Sequence, residues 1–563
     1  MQRLLSRALI GTGVAALLAG AAVRFGIALG NQGIYWPDEI YQSLEPAHRL
    51  VFGYGLVPWE YQLHMRFWLL PGVIAGLIEL SRLVGEAPQI YLGAIAIGLG
   101  LTLYQPLSVL AIVPPALLVV NWVWKQPVRG LYMLLAATLI FEIFPLHFAD
   151  SLTDRVPFFL NLNNASSSAG LSGISITPAE VLMVSVLVIW AVAGISRRTF
   201  KLEGGPLVGA YVIFALVVVG AEIHGALGRA DLGKSLWEVR PQAYGLVAFL
   251  LAANLVTERR HVRNLAVVFF LAVGFKVCLT LFRYYVTLHG NTFGYEAIMA
   301  HEESYFFALF VLGMAVTLIW GRGLSRRVQL LLIAFSALSL FAMVVNQRRA
   351  AELALMAAVG VVLVRALRVD EAHRGTWLVV TLAVVGGGTA YMIAFWNHTY
   401  GLTGELVRPI HSLFQPDQRD YLSNIYRVAE DANLRVTYRT SPLVGVGFGI
   451  PMLVIFPMAD ISYIYPLWNY IPHNTLLWVG MRMGAVGYAA FWGLVAMAVL
   501  QGTRQLATGK DKLLNAVAAF AIAAIVAEIV VGYSDLQLDS YRNLIVFGVL
   551  LGLLNRMPKL AET

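Results

Sequence analysis

Apolar runs of roughly 17 to 25 residues recur along nearly the whole chain, and each is long enough to cross a bilayer as a helix. Only helices and closed barrels can span a membrane, because the hydrocarbon core offers no water to backbone polar groups. A barrel would show short segments of alternating hydrophobicity, and this sequence does not show them. Charged residues make up 13% of the chain, whereas soluble proteins carry roughly 25%. The sequence therefore predicts an all-α, polytopic integral membrane protein.

Lysine and arginine collect in alternate short loops, which marks those loops as cytoplasmic. Examples are residues 197–201, 259–263 and 322–327. The intervening connections hold fewer bases, and the longest of them is residues 397–472. We expect a helical bundle of about 14–16 spans with this one long loop facing outward. The span boundaries are ambiguous in residues 67–122, which contain several prolines.

The charge and cysteine content exclude some classes of function. The net charge of +8 does not indicate a nucleic-acid partner, because the excess bases lie in the short loops that orient helices. Cys278 is the single cysteine, so no disulfide framework exists. The first apolar run, residues 14–29, lacks a clear cleavage site after it, and we interpret it as an uncleaved span. We expect the lipid bilayer as a partner, and no cofactor or metal.

The long outward loop ends at His473 and Asn474, where the next membrane segment begins. Histidine titrates near neutral pH and can accept a proton from a hydroxyl, although a histidine at a helix entry is also common as a cap. Asn474 could orient that ring or a sugar hydroxyl. Arg427 could stabilise the charge on a leaving phosphate. We expect the nearby acids Glu430 and Asp431 to be solvated.

Three further arginines are candidates for phosphate binding. Arg348 and Arg349 lie together in a short outer turn, against the usual distribution of positive charge. Their planar donors suit phosphate oxygens, and the alternative is a structural pair with Glu352. Arg240 lies at the outer end of a span, where it would either anchor the helix at the interface or contact a lipid phosphate.

A second polar patch covers residues 31–65 and contains the adjacent acids Asp38 and Glu39. Acids just outside a span could serve as a general base or bind a metal, or they could be solvated. Residues 37–39, 42–45 and 47–55 read PDE, QSLE and AHRLVFGYG. This pattern resembles the first luminal loop of the GPI and dolichol-linked mannosyltransferases of the GT-C class. We therefore predict a mannosyltransferase-like membrane segment over residues 1–91.

The rest of the chain shows a different set of motifs. His473-Asn474 is followed, after nine residues, by GAVG at 484–487, and SPLVGVGFG lies at 441–449. The outer turn NQRRA occupies residues 346–350. Together with Arg427, these elements resemble the O-antigen ligases and related O-antigen polymerases over about residues 92–560. We predict a ligase-like membrane domain over residues 92–563.

The ligase resemblance implies an inverting, metal-independent glycosyltransferase with a GT-C-like helical bundle. The donor would be a glycan on undecaprenyl diphosphate, and the acceptor lipid A-core or another cell-envelope glycan or lipid. His473, Arg427 and Asn474 would be catalytic. Arg348, Arg349 and Arg240 would bind the diphosphate. The resemblance also implies the bacterial cytoplasmic membrane, with the long loop on its periplasmic or extracellular side.

Three alternatives remain open. An O-antigen polymerase would extend the lipid-linked glycan with the same machinery. A polyprenyl-phosphate-mannose-dependent mannosyltransferase would use Asp38, with Glu39 beside it. A lipid-linked glycan transporter would show internal repeats and charges at the membrane midplane, and we find no obvious repeat.

Overall fold

The computed structural model divides into two compact units, residues 1–126 and residues 127–563. The predicted boundary between residues 91 and 92 stays a prediction. The structure describes residues 45–62, 68, 71–72, 74–76, 78–79, 113–144, 153–154, 156, 158–160, 176–292, 295, 297–320, 324–369, 374–398, 401–463 and 465–562.

Besides helical residues at 71–72, 74–76 and 78–79, the first unit contains three short helices among its described residues. They are α1 (Glu45–Phe52), α2 (Trp59–Gln62) and α3 (Val113–Lys125). The segment after α1 folds back on it, because Arg49 donates a hydrogen bond to the carbonyl of Gly55 at 2.9 Å. Leu56 donates its backbone N–H to the carboxylate of Glu45 at 3.2 Å. The AHRLVFGYG sequence is thus one helix and a turn that returns to it. Asp38 and Glu39 lie outside the described residues.

The second unit is mainly helical in its described residues. Its helices are α4 (Val128–Ile140), α5 (Pro178–Ser196), α6 (Val208–Leu227), α7 (Leu232–Leu255), α8 (Arg259–Phe282), α9 (His301–Trp320), α10 (Arg326–Val345), α11 (Arg349–Val369), α12 (Arg374–Phe395), α13 (Gly401–Glu405), α14 (Arg408–Phe414), α15 (Gln418–Thr440), α16 (Thr475–Thr508), α17 (Lys512–Gly532) and α18 (Tyr541–Glu562). A π-helical turn extends α8 through Arg283–Thr287.

Ten of these helices are long and apolar enough to cross a membrane: α5, α6, α8 to α12, and α16 to α18. The described residues contain no strand. The predicted all-α polytopic class is therefore confirmed. Residues 1–44 and 81–112, where further spans are predicted, lie outside the described residues. The predicted total of 14–16 spans stays a prediction.

Small residues let α7 and α18 pack with their backbones close together. A Cβ on Gly548 would come within 2.2 Å of the carbonyl oxygen of Gly245, and a Cβ on Gly552 within 2.5 Å of the Cβ of Ala252. Close approach through small residues is the usual basis of helix packing in membranes. Because of it, α7 is buried along much of its length although it carries charged residues.

Helix α16 is broken near its middle. Gly484 has φ 62° and ψ −159°, which is not helical, and a Cβ there would come within 2.3 Å of the carbonyl carbon of Leu443. The amides after the break donate to the preceding loop, Ala485 to the carbonyl of Pro442 at 2.9 Å and Val486 to that of Leu443 at 3.1 Å. The SPLVGVGFG and GAVG sequences are therefore two sides of one structural unit, in which glycine fits where a side chain would clash.

A buried cluster of charges lies within the bundle. Lys276 pairs with Glu142 and with Glu303, the latter at 3.2 Å, and Arg542 pairs with Glu303 at 2.7 Å. All four side chains are fully buried. Arg542 also donates to the carbonyl of Thr138 at 2.8 Å. Two bases and two acids thus balance one another inside the membrane domain.

The predicted outward loop, residues 397–472, is largely helical in its first part. It contains α13, α14 and the long helix α15, followed by an irregular segment that leads to α16. Asn433 of α15 fixes that segment, because its carbonyl oxygen accepts from the amides of Ile455 at 2.9 Å and Phe456 at 2.8 Å. This attachment holds α15 beside the entrance to α16.

Candidate functional site

A polar cavity of about 500 Å³ lies where the ends of α9, α11, α16 and α17 meet α14 and α15. Five residues predicted from the sequence line it: His473, Asn474, Arg348, Arg349 and Arg427. The described residues thus bring together most of the predicted site, although its members lie up to 126 positions apart in the chain.

His473 is held by a buried carboxylate. Its backbone N–H donates to Oε2 of Glu430 at 3.0 Å, and its ring Nδ1 lies 3.1 Å from Oε1 of the same side chain. Glu430 is 1% exposed. An ionised carboxylate only accepts hydrogen bonds, so Nδ1 carries the proton and Nε2 is left with its lone pair. The prediction that Glu430 is solvated is wrong, because α15 turns this acid inward against His473.

The ring of Tyr426 lies edge-on to that of His473, with centroids 5.7 Å apart. Burial, and then the neighbouring charge of Glu430, raise the pKa of the Tyr426 hydroxyl, which stays protonated. His473 is therefore in contact with both a carboxylate and an aromatic ring.

Asn474 caps α16 and connects it to α15. Its carbonyl oxygen accepts from the amide of Leu477 at 3.1 Å, as expected for the N-cap of α16. Its amide nitrogen donates to Asp431 at 3.1 Å. Burial raises the pKa of Asp431, although Asn474 and Arg435 oppose this shift. Asp431 is thus partly buried and hydrogen-bonded, and the prediction that it is merely solvated is also wrong.

Arg348 lies against a second histidine. Its Nη2 is 2.6 Å from Nε2 of His301, and Nδ1 of His301 is 3.8 Å from Asp535. A guanidinium is always a donor, so Nε2 of His301 accepts and Nδ1 carries the proton. Burial raises the pKa of Asp535, but the Nδ1 donor of His301, the charge that this ring carries when it is protonated in acid, and then the charge of Arg348 outweigh burial and leave this pKa below its ordinary value.

Arg349 points toward α14 and α15. Its Nη1 donates to the hydroxyl of Ser412 at 2.8 Å and pairs with Asp420 at 3.3 Å. Arg408 pairs with the same carboxylate at 3.1 Å. Arg349 lines the cavity, but its strongest contacts fasten α14 and α15 to the end of α11.

Arg427 is less engaged by neighbouring side chains than Arg348 and Arg349 are. It lines the cavity from α15, and none of the described residues forms an ion pair or hydrogen bond with its guanidinium. A cation of this kind beside a polar cavity can bind an anion without first breaking an internal pair.

Arg240 is not among the residues that line the cavity. Its Nε pairs with Glu180 of α5 at 3.3 Å, and its guanidinium lies 5.7 Å from the ring centroid of Trp237. The structure therefore separates Arg240 from the other predicted phosphate ligands, because a carboxylate on a neighbouring span engages it. No side-chain position is described for Asp38 or Glu39.

A buried ion pair supports the glycine loop next to the site. Arg482 pairs with Glu238 at 2.5 Å and donates to the carbonyls of Gly447 at 2.9 Å and Tyr470 at 2.9 Å. Glu238 also accepts from the indole of Trp478 at 3.2 Å. Sequence reasoning did not select Arg482 or Glu238. The sequence feature that could have identified these two residues is a charged residue inside an otherwise apolar run.

None of the described residues forms a group of three or more histidine, cysteine and acidic side chains with the geometry of a metal site. The expected metal-independent chemistry stays a prediction.

Comparison with known proteins gives a family match and several matches to individual relatives. Residues 15–193, about a third of the chain, match the Alg9-like mannosyltransferase family. GPI mannosyltransferase 3 of Yarrowia lipolytica is 44% identical over 75 residues, 13% of this chain and 15% of that relative. The Drosophila melanogaster protein of the same name is 44% identical over 63 residues, 11% of each chain. GPI alpha-1,2-mannosyltransferase 3 of Mus musculus is 35% identical over 80 residues, 14% of this chain and 15% of that relative.

These matches confirm the resemblance of the N-terminal segment to GT-C mannosyltransferases, and the family match runs past the predicted limit at residue 91. The chain spans 15% or less of the length of these curated relatives. The O-antigen ligase resemblance stays a prediction.

The predicted localisation needs correction. The matched relatives come from a yeast, an insect and a mammal, so the assignment to a bacterial cytoplasmic membrane is wrong. The assignment to a membrane with many crossings holds, because ten described helices can span one.

Proposed function

We propose that this chain is a membrane glycosyltransferase that moves a sugar or glycan from a phosphate-linked polyprenyl carrier to a hydroxyl group in the polar cavity. The observation that carries the proposal is the contact between the buried Glu430 and the partly exposed His473, which share a cavity with the cations Arg427 and Arg348. A base and separate cations are what transfer from a phosphate leaving group needs.

His473 acts as the base. Glu430 holds the proton of the ring on Nδ1, so Nε2 accepts the proton of the acceptor hydroxyl. The acceptor oxygen forms a bond to the anomeric carbon while the bond from that carbon to the phosphate oxygen breaks. The electron pair of the broken bond goes to the phosphate oxygen. Attack from the face opposite the leaving group inverts the anomeric carbon.

Arg427 and Arg348 stabilise the negative charge that develops on the leaving phosphate. Arg427 reaches the cavity without an internal ion pair among the described residues, and Arg348 lies against the ring of His301. Preplaced cations of this kind lower the barrier without reorganising when the bond breaks. Two separate guanidinium groups suit a diphosphate better than a single phosphate, so we infer a polyprenyl-diphosphate-linked donor.

The test is glycan transfer in vitro from a polyprenyl-diphosphate-linked oligosaccharide, with EDTA present. We expect wild-type protein to transfer the glycan, and the His473→Ala and Arg427→Ala variants to lose most of this activity. Arg439→Ala is the matched control, because Arg439 is an exposed arginine at the end of the same helix and does not line the cavity. Equal activity in all four proteins would exclude the cavity as the catalytic centre.

A second candidate function rests on the comparisons. The similarity of residues 15–193 to Alg9-like mannosyltransferases favours transfer of mannose from a polyprenyl-phosphate-mannose donor, with Asp38 as the base and Glu39 beside it. With that donor, loss of transfer in Asp38→Asn together with full activity in His473→Ala would favour this candidate. The reverse pattern would favour the cavity. A product in which the lipid-linked glycan itself has grown would indicate a polymerase.

A further inference from the structure

A second polar cavity, of about 620 Å³, lies at the other end of two helices that line the first. The first cavity meets the start of α16 and the end of α17, and the second meets the end of α16 and the start of α17. Helix α17 has 21 residues, and this corresponds to about 30 Å at 1.5 Å per residue. That length matches the hydrocarbon thickness of a bilayer, so the two cavities face opposite sides of the membrane.

Two unpaired cations line the second cavity. Arg504 and Lys510 are exposed at its edge, and neither forms an ion pair with any of the described residues. The acid in the lining, Asp511, is already engaged, because it pairs with Arg259 at 3.0 Å and caps α17 by accepting from the amide of Leu514 at 3.0 Å. The cavity therefore has uncompensated positive charge.

Buried amides form the wall behind these cations. Gln501 is 7% exposed and lines the cavity, and its side chain has no hydrogen bond within the part of the chain that the structure describes. Gln505, which is 6% exposed, donates to Asn515 at 3.0 Å. The amide of Gln501 is not fully shielded from solvent in the cavity, so it is free to donate a hydrogen bond to a ligand there.

We propose that this second cavity binds a phosphate group, with Arg504 and Lys510 neutralising its charge and the Gln501 amide donating a hydrogen bond to a phosphate oxygen. The inference does not depend on the function proposed for the first cavity. Basic pockets between helix ends on the cytoplasmic side are sites where anionic lipid head groups bind. The same chemistry would also accept a soluble phosphate ester, and the experiment separates these two sources.

The lining of a neighbouring apolar cavity favours the lipid. This cavity, of about 110 Å³, is bounded by α4, α8, α9, α17 and α18. Leu513 and Val262 line it, two and three residues beyond Asp511 and Arg259, which line the phosphate cavity. A phospholipid could thus place its phosphate among the polar groups and an acyl chain along the same helices.

The experiment measures binding of the full-length protein in detergent to two probes. One is a short-chain phosphatidylglycerol, and the other is glycerol phosphate, which has the same phosphate chemistry without acyl chains. The variants are Arg504→Gln/Lys510→Gln and Gln501→Leu. The matched control is Arg326→Gln/Arg327→Gln, which removes two exposed charges of the predicted cytoplasmic side that do not line the cavity.

We expect the Arg504→Gln/Lys510→Gln variant to bind phosphatidylglycerol at least tenfold more weakly, since each cation contributes about 1 kcal/mol to binding of an anionic lipid. Gln501→Leu should weaken binding without changing the charge, and the control should bind as wild type does. Binding of glycerol phosphate with the same variant pattern would assign the site to soluble phosphate esters. Equal binding by all variants, or an equal loss in the control, would overturn the proposal. Glycan transfer measured in parallel reports on the first cavity separately.

Discussion

The charges inside the bundle and the charges at the first cavity are arranged differently. Within the bundle, Lys276 and Arg542 each contact Glu303, and Lys276 also contacts Glu142, so every charge in this cluster has an opposite partner. At the cavity, Arg427 has no such partner among the described residues. A charge away from water must be paired, because desolvating it alone costs several kcal/mol.

The difference separates structural charges from charges that can meet a ligand. The partly engaged arginines lie between these extremes, since Arg349 and Arg408 share one carboxylate, Asp420, and hold α14 and α15 in place. Pairing, more than the presence of a charge near a span, thus indicates the role of each residue. This distinction predicts which substitutions change stability and which change activity.

We expect the largest effect on glycan transfer from substitution of His473, the proposed base. His473→Ala should lower glycan transfer by about 10²- to 10⁴-fold, the usual contribution of general base catalysis. The thermal midpoint should fall as well, because the buried Glu430 loses the Nδ1 donor of His473 but keeps the backbone N–H of that residue. Glu430→Gln should cause a smaller loss, since the amide can still accept from the backbone N–H of His473 but no longer stabilises the charged ring. Initial rates at saturating donor measure both effects, and a fully active His473→Ala protein would contradict the assignment.

Breaking the buried cluster should instead affect stability. Lys276→Met removes a cation that faces Glu142 and Glu303, and leaves Glu142 without the cation that it pairs with. We expect a loss of about 3–5 kcal/mol, measured as a fall in the thermal midpoint of the detergent-solubilised protein. Lys510→Met is the control, because Lys510 is exposed at a helix end. An unchanged midpoint in Lys276→Met would show that the cluster does not stabilise the bundle.

Arg427→Ala tests whether an arginine that lines the cavity contributes more to activity than to stability. Among the described residues Arg427 has no ion pair to break, so this substitution should change the free energy of unfolding by less than about 1 kcal/mol. Transfer should fall about 10²-fold, because the leaving phosphate loses one of its stabilising cations. Arg427→Lys should recover part of the rate, since it keeps the charge but not the planar donors. A large fall in stability would reveal a structural role for Arg427 instead.

The sequence was sufficient for the class of fold and for much of the cavity. Apolar run length alone predicts membrane helices, and the motifs around His473 and Arg348 mark residues that converge in space. The contact between His473 and Glu430 joins residues 43 positions apart and depends on how α15 is rotated, which no local pattern specifies. The position of Arg240 at the outer end of a span suggested a contact with a lipid phosphate. In the structure Arg240 pairs with Glu180, and this contact depends on how α5 packs against α7, which the sequence around Arg240 does not specify.

The smallest expected effect concerns the pH dependence of Asp535. Its pKa lies below the ordinary value in the folded protein, because His301 and Arg348 outweigh the effect of burial. A depressed carboxyl pKa contributes stability above the unfolded-state pKa, about 3.9, and that contribution is lost as the pH falls through the folded-state value.

His301→Gln removes the main cause of the low pKa of Asp535. Above about pH 4 this variant should therefore be less stable than wild type by about 1 kcal/mol, and the difference should shrink as the pH is lowered. Thermal midpoints of both proteins across an acidic pH series measure this, with Asp535→Asn as the control that should not show the same acid loss. A difference that stays constant over the whole series would mean that His301 stabilises the cavity by packing and does not act through the charge of Asp535.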